Sequence, residues 1–288
     1  MSIYIIINSI IFIICCIGVL LNGIVIRLLG FQIKRNPFTI LILNLAIADI
    51  GFFAFCGISF IFYFIHFIGL EIPLMILVYL SYILYMTGLF LLTAISIDQC
   101  VCVLFPIWHR CSRPKYLSPV VCALIWICTV LLSGILNIMD FVFNYHGFSN
   151  LDFVVTSVLC LTLITISTLI LFIKICLKPK QIKRGRLLVI ILITLLCFLI
   201  FTLPLNIYRL YAHYVYLSYS FQDIPLNVYI PLGGSLNSTV NPIIYYLVGR
   251  KKQAQRRESI KVVFERVFRE DEAPESTAIS TNVVSTSL

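Results

Sequence analysis

Asp49 is the residue here that most needs a chemical reason for its place. It closes the run Asn44-Leu45-Ala46-Ile47-Ala48-Asp49 inside a long apolar stretch. A carboxyl group removed from water is costly unless partners compensate it, and such groups are by default functional. Other apolar stretches offer neutral partners: Asn22 in one, and Asn237, Ser238 and Asn241 in another. Brought together, they form one polar cluster that can hold a cation with waters. The alternative is a hydrogen-bonded carboxyl with a structural role only. Pro242, beside Asn241, cannot donate a backbone hydrogen bond, and Asn241 is expected to re-satisfy the groups it frees. Pro204 interrupts a second stretch in the same way, so both prolines mark hinges or static kinks. Nothing here resembles an enzyme's equipment: no nucleophile–base set is visible. The four histidines, at 66, 109, 146 and 213, are too scattered for a zinc site, so no metal centre is expected.

The elements that carry these residues must be membrane helices. Of 288 residues, 61% are hydrophobic and 11% charged, and the mean hydropathy is +1.05. A soluble core of this size cannot hide that much apolar surface. A soluble enzyme, a secreted disulfide scaffold, a nucleic-acid binder and a disordered chain are therefore excluded as readings of the whole chain. Seven stretches are long enough to span hydrocarbon, at about 3–29, 38–64, 74–104, 117–139, 153–177, 187–212 and 226–248. Alternating ten-residue segments, the mark of a membrane barrel, are absent. The predicted fold is an all-α seven-transmembrane helix bundle over 1–249. A short amphipathic eighth helix follows at 250–269, basic on one side and lying on membrane lipid, and then a disordered tail at 270–288.

The charges give an orientation. Lys34 and Arg35, then Arg110, Arg113 and Lys115, then Lys178 to Arg186, and finally Arg250 to Arg269, all follow odd-numbered spans. Basic loops stay in the cytoplasm, so the N-terminus is expected outside and the C-terminus inside. The net charge of +9 is then a topology signal rather than a mark of nucleic acid. The opposite side carries Glu71, Asp140, Asp152 and Asp223 against Arg209. An acid-lined mouth favours cations, while its alternative is a set of solvated loop acids. The 11 cysteines fall in spans or on the basic side, which argues against an extracellular disulfide framework.

Asn22, the run ending at Asp49, Trp126, Pro204 and Asn241-Pro242-Ile243-Ile244-Tyr245, in that order on seven spans, resemble rhodopsin-like G-protein-coupled receptors. Segments 95–117, 120–126 and 237–249 look like the Mas-related family of those receptors, over about residues 1–270. The resemblance implies a plasma-membrane receptor that takes an agonist at its outer mouth and activates a heterotrimeric G protein. It implies a sodium and water site at Asp49 and Asn241, and no other cofactor. Asp98, Gln99, Pro204, Pro242 and Tyr245 would form the activation switch, and Pro106 and Ile107 the G-protein docking element. The Ser- and Thr-rich tail, once phosphorylated, would suit an arrestin.

Departures from the family pattern matter equally. An arginine is expected after Asp98, and Gln99 stands there, so the clasp between the two is lost. Gly88 replaces a serine that many receptors use as a sodium ligand, and Ser81 occupies the place of the amine-binding aspartate. Biogenic amines bound in that mode are thus disfavoured. A cationic small molecule or short peptide, bound by Asp152 and Asp140 beside Ser81, is the expected ligand. The alternative function is a coupling-impaired binding or decoy receptor of the same fold. A transporter is disfavoured, because no inverted repeat is visible and only one acid lies deep.

Overall fold

The computed structural model describes residues 2–33, 36–65, 71–143, 148–177, 192–204, 207, 229–249 and 259–269. Its elements are α1 (Ser2–Arg27), α2 (Pro37–Ile65), α3 (Glu71–Leu104), α4 (Pro106–Cys111), α5 (Leu117–Phe143), α6 (Phe148–Leu177), α7 (Leu192–Pro204), α8 (Tyr229–Gly249) and α9 (Ile260–Arg269). The architecture is an all-α membrane bundle. Hydrocarbon offers the backbone no hydrogen-bond partner, so each crossing segment must satisfy its own amides, and the helix does this. On the described residues alone, four helices are long and apolar enough to cross a bilayer: α1, extended by the turn that follows it, α2, α3 and α5.

Each helix sorts its residues by face. Along α1, Ile6, Ile13 and Leu20 point outward one heptad apart. Ile11, Cys15, Asn22 and Val25 point inward. The main core joins Leu45, Leu89, Leu92, Ile95, Ile164, Phe198 and Ile244, from α2, α3, α6, α7 and α8. A smaller cluster, Ile11, Cys15, Phe52, Phe53 and Cys56, sits between α1 and α2. Polar ties fix the contacts, since apolar burial gives little preference between helix and lipid. The Thr87 and Thr129 hydroxyls meet at 2.8 Å between α3 and α5. Trp126 Nε1 donates to Asn44 Oδ1 at 3.1 Å, joining α5 to α2. The Cys100 thiol donates to the Ser167 carbonyl at 3.2 Å, joining α3 to α6.

The start of α2 is capped by its own sequence. Asn36 Oδ1 accepts from the Thr39 amide at 2.7 Å, the Asn36 amide donates to Thr39 Oγ1 at 2.8 Å, and Pro37 takes the first helical position. Asn36 has a further use. Its Nδ2 donates at 2.9 Å to the Phe268 carbonyl, binding α9 to the head of α2.

The tail helix differs from the sequence expectation. Residues 250–258, with Arg250, Lys251, Lys252, Arg256 and Arg257, lie outside the described residues, as does 270–288. In α9 the stripe Val263, Phe264, Val267 and Phe268 does not face lipid: it is buried against the protein. Phe268 packs on Phe38, and both Phe264 and Phe268 pack on Tyr245. Rings already present on α2 and α8 give these side chains a protein partner.

A close approach of α1 and α2 rests on Gly18. A Cβ there would overlap the ring of Phe53, which is 1% exposed and has nowhere to move. At Gly23, five residues on, an added Cβ would meet nothing within 4 Å. Gly18→Ala is therefore expected to destabilise the detergent-solubilised protein by about 1–3 kcal/mol, the usual cost of overpacking. Gly23→Ala should leave the thermal midpoint unchanged or raise it. Equal midpoints for the two variants would contradict this packing.

Candidate functional site

Pro242 creates the first feature of the site. It has no N–H, so the carbonyl four residues earlier, that of Ser238, loses its helical donor. The donor comes from α1: Asn22 Nδ2 reaches the Ser238 carbonyl at 3.2 Å while also donating to the Gly18 carbonyl at 3.1 Å. The expectation that Asn241 would serve this purpose is therefore corrected. Both polar atoms of the Asn241 side chain are buried without a hydrogen-bond partner among the described residues.

Ser238 also turns its hydroxyl toward α2, where Oγ donates to Asp49 Oδ1 at 2.7 Å. One residue thus joins three helices, by its carbonyl to Asn22 and by its hydroxyl to Asp49. Asp49 is 4% exposed, and its Oδ2 has no partner among the described residues. Beside it lies a cavity of about 20 Å³, room for a water or a small cation, lined by Asp49, Asn237, Ser238, Gly88 and apolar neighbours from α2 and α3. Asn237 Oδ1 is likewise unpartnered among the described residues. Carboxylate, amide and hydroxyl oxygens around so small a space form a donor set for a hard ion or for water. Asn22 and Asn241 are not among the lining residues, so the cluster expected from the sequence is arranged differently. Asn22 acts from behind Ser238, and Asn237 replaces Asn241 at the cavity. A Cβ on Gly88 would lie 3.7 Å from Asp49 Oδ1, in ordinary contact.

The second group lies at the end of the bundle that carries the basic loops. Asp98, on α3, is not without a clasp. Arg113 Nη2 meets Asp98 Oδ1 at 2.8 Å and Arg113 Nη1 donates to Oδ2 at 3.3 Å. No arginine follows Asp98, and the loop supplies its cation instead. Gln99 is itself buried. Arg113 was legible only as one basic loop residue. Its signal was the following Pro114, which precedes α5 and limits where the arginine can go. Next to this group α4 opens with Pro106 and presents Ile107, 79% exposed, with Phe105 and Trp108 exposed beside it. Tyr245 is buried under Phe264 and Phe268. Pro204 ends the described part of α7 and is exposed.

The third group is described only in part. Ser81 is half-buried on α3 and its hydroxyl donates to the Val78 carbonyl at 2.7 Å within the same helix. Asp140 lies in α5 and Asp152 in α6, but their side chains, and that of Glu71, are outside the described set, as are residues Arg209 and Asp223. The ten described cysteines are free thiols. Among the described residues no group of His, Cys, Asp and Glu is placed to hold a metal ion.

The chain is similar to known proteins over most of its length. Residues 21–245 match the family described as 7 transmembrane receptor (rhodopsin family). Over 289 residues the chain is 37% identical to Mas-related G-protein coupled receptor member X1 of Mus musculus, covering 94% of this chain and 88% of the relative. It is 35% identical over 280 residues to Proto-oncogene Mas of Homo sapiens (93% and 85% covered). It is also 35% identical over 300 residues to Mas-related G-protein coupled receptor member D of Homo sapiens (97% and 91% covered).

If Asn22 serves the carbonyl that Pro242 orphans, the two residues must be coupled. Asn22→Ala should cost about 1–3 kcal/mol, the penalty of a buried polar group left unpaired. In a Pro242→Ala background the helix regains its own donor, and the same substitution should cost less than half as much. Thermal midpoints of the four proteins measure the cycle. Additive losses would mean that the carbonyl does not depend on Asn22.

Proposed function

Since the chain belongs to the rhodopsin family of seven-transmembrane receptors, and within it to the Mas-related G-protein-coupled receptors, we propose that it senses a cationic small molecule or short basic peptide and activates heterotrimeric G proteins. Members of this family are multi-pass plasma-membrane signalling receptors, not enzymes. The basic end of the bundle is the cytoplasmic one in this reading, with the N-terminus outside and the C-terminus inside. Ligand enters opposite, where Asp140 and Asp152 supply charge beside Ser81.

One observation carries the coupling half of the proposal. Ile107 is 79% exposed on α4 at the basic end, beside exposed Phe105 and Trp108. Large apolar side chains displayed together outside the hydrocarbon mark a protein-docking face. Pro106 starts the helix that displays them, and the G protein is the partner. Arrestin binding to a phosphorylated 270–288 tail and lipid contact along the outer helix faces complete the set of partners. The decoy reading draws on Gln99 alone: a neutral amide offers a G protein less than an arginine fork does. The Arg113 clasp weakens that reading, since Asp98 is held without an arginine at 99.

The test is nucleotide exchange on purified heterotrimers at matched receptor density. Ile107→Ala should reduce stimulated exchange about tenfold, for a lost apolar contact of about 1.4 kcal/mol or more, with ligand binding retained. Asp152→Asn should instead raise the required concentration of a short basic peptide and leave maximal exchange intact. Exchange insensitive to Ile107 would remove the docking assignment, and potency insensitive to both Asp152→Asn and Asp140→Asn would remove the charge assignment.

Sodium at Asp49 is part of the same proposal. It is supported by the unpartnered Asp49 Oδ2 and Asn237 Oδ1 around a cavity of suitable size. An ion that prefers the inactive receptor state must lower agonist affinity by linkage. Asp49→Asn should abolish that sodium effect. Gly88→Ser, whose Cβ fits in ordinary contact with Asp49 and which adds an oxygen there, should strengthen it. Agonist binding indifferent to sodium in the unmutated and the Gly88→Ser receptors would leave Asp49 a structural role only.

A further inference from the structure

Arg113 touches three elements at once. Its Nη2 lies 2.8 Å from Asp98 Oδ1 on α3 and donates at 2.6 Å to Ser118 Oγ on α5. Its Nη1 donates to Nε2 of His109 on α4, and His109 Nε2 is in turn 3.7 Å from Asp98 Oδ1. The arginine side chain is 7% exposed and the aspartate 13%. The pair is therefore withdrawn from the water that makes exposed ion pairs weak, and the planar fork engages both carboxylate oxygens.

Helix α4 has six residues. Helices shorter than about 12–15 residues are marginal on their own, so α4 must be held by its surroundings. Backbone bonds close its ends, from the His109 amide to the Phe105 carbonyl at 3.0 Å and from the Ser112 amide to the Trp108 carbonyl at 2.9 Å. Its side-chain tie runs from His109 to the Arg113–Asp98 pair, on the other side of the helix from exposed Ile107.

We propose that Arg113 is a positioning residue: its clasp on Asp98, His109 and Ser118 fixes α4, and with it the pose of the Ile107 docking face. The role of that face rests on the receptor reading above, while the clasp itself does not. With an uncharged Gln99 beside it, Asp98 takes its described cation from the loop. The order of α4 thereby becomes tied to the charge state of α3.

Hydrogen exchange of the α4 amides in the purified, full-length receptor, with no G protein present, reads the clasp directly. Arg113→Gln and Asp98→Asn should each speed exchange at His109 and Ser112 about tenfold, and the double variant should be no faster than either single one. Arg113→Lys, which keeps the charge and loses the fork, should fall between. Should Arg113→Gln fail to fold, Asp98→Asn and Ser118→Ala, each removing one contact of the arginine, carry the same test. Unchanged amide exchange in the single variants, or effects that multiply in the double one, would overturn the proposal. In a nucleotide-exchange assay Arg113→Gln should lower G-protein activation with agonist binding retained. Absence of activation by the unmutated receptor would count against the receptor reading alone, with the clasp still decided by the amides.

Discussion

A proline inside a membrane helix releases one carbonyl, and in hydrocarbon that carbonyl must find a new donor. Here it is the Ser238 carbonyl, and Asn22 of α1 supplies the donor. The same residue's hydroxyl holds Asp49 of α2. The helices α1, α2 and α8 are thus registered to one another at a single residue, and the close seating of Phe53 on Gly18 belongs to the same contact. A joint of this kind is stiff where it is satisfied and changeable where it is not. The unsatisfied parts, Asp49 Oδ2, Asn237 Oδ1 and the Asn241 amide, are where an ion, a water or a second helix arrangement can act.

The basic end of the bundle follows the same logic with a different partner. Asp98 cannot stand alone at the edge of the membrane, and Arg113 reaches it from the loop. Tyr245 is covered by two phenylalanines of α9, which Asn36 fastens to α2. Two segments with little stability of their own, α4 and α9, are therefore held by side chains of the bundle helices. Both lie at the end where a G protein would dock in the proposed reading, so their order is open to change without repacking the core.

The all-α membrane class was legible because it depends on composition and on the lengths of apolar runs, which hydrocarbon thickness fixes. The family was legible from Asn22, Asp49, Trp126 and the Asn241-Pro242 pair. The sequence did not show which of several amides in one helix would meet the freed carbonyl. Asn241, adjacent to Pro242, is the nearer choice by chain distance, but the donor comes from Asn22, 216 residues away. Arg113 was hidden for a similar reason: a loop cation looks like a topology signal until its reach to Asp98 is known. The tail helix was read as lipid-facing because periodicity reveals that a face is apolar, not what will cover it.

The central claim, a receptor that activates G proteins although glutamine follows Asp98, is tested most directly on the unmutated protein in bilayer discs. The measurement is GDP–GTP exchange across a panel of purified heterotrimers, made together with saturation binding of a short basic peptide. The expected result is exchange above that of empty discs for at least one heterotrimer, rising with peptide occupancy. Saturable peptide binding with exchange no faster than in empty discs, across the whole panel, would contradict it and leave a decoy.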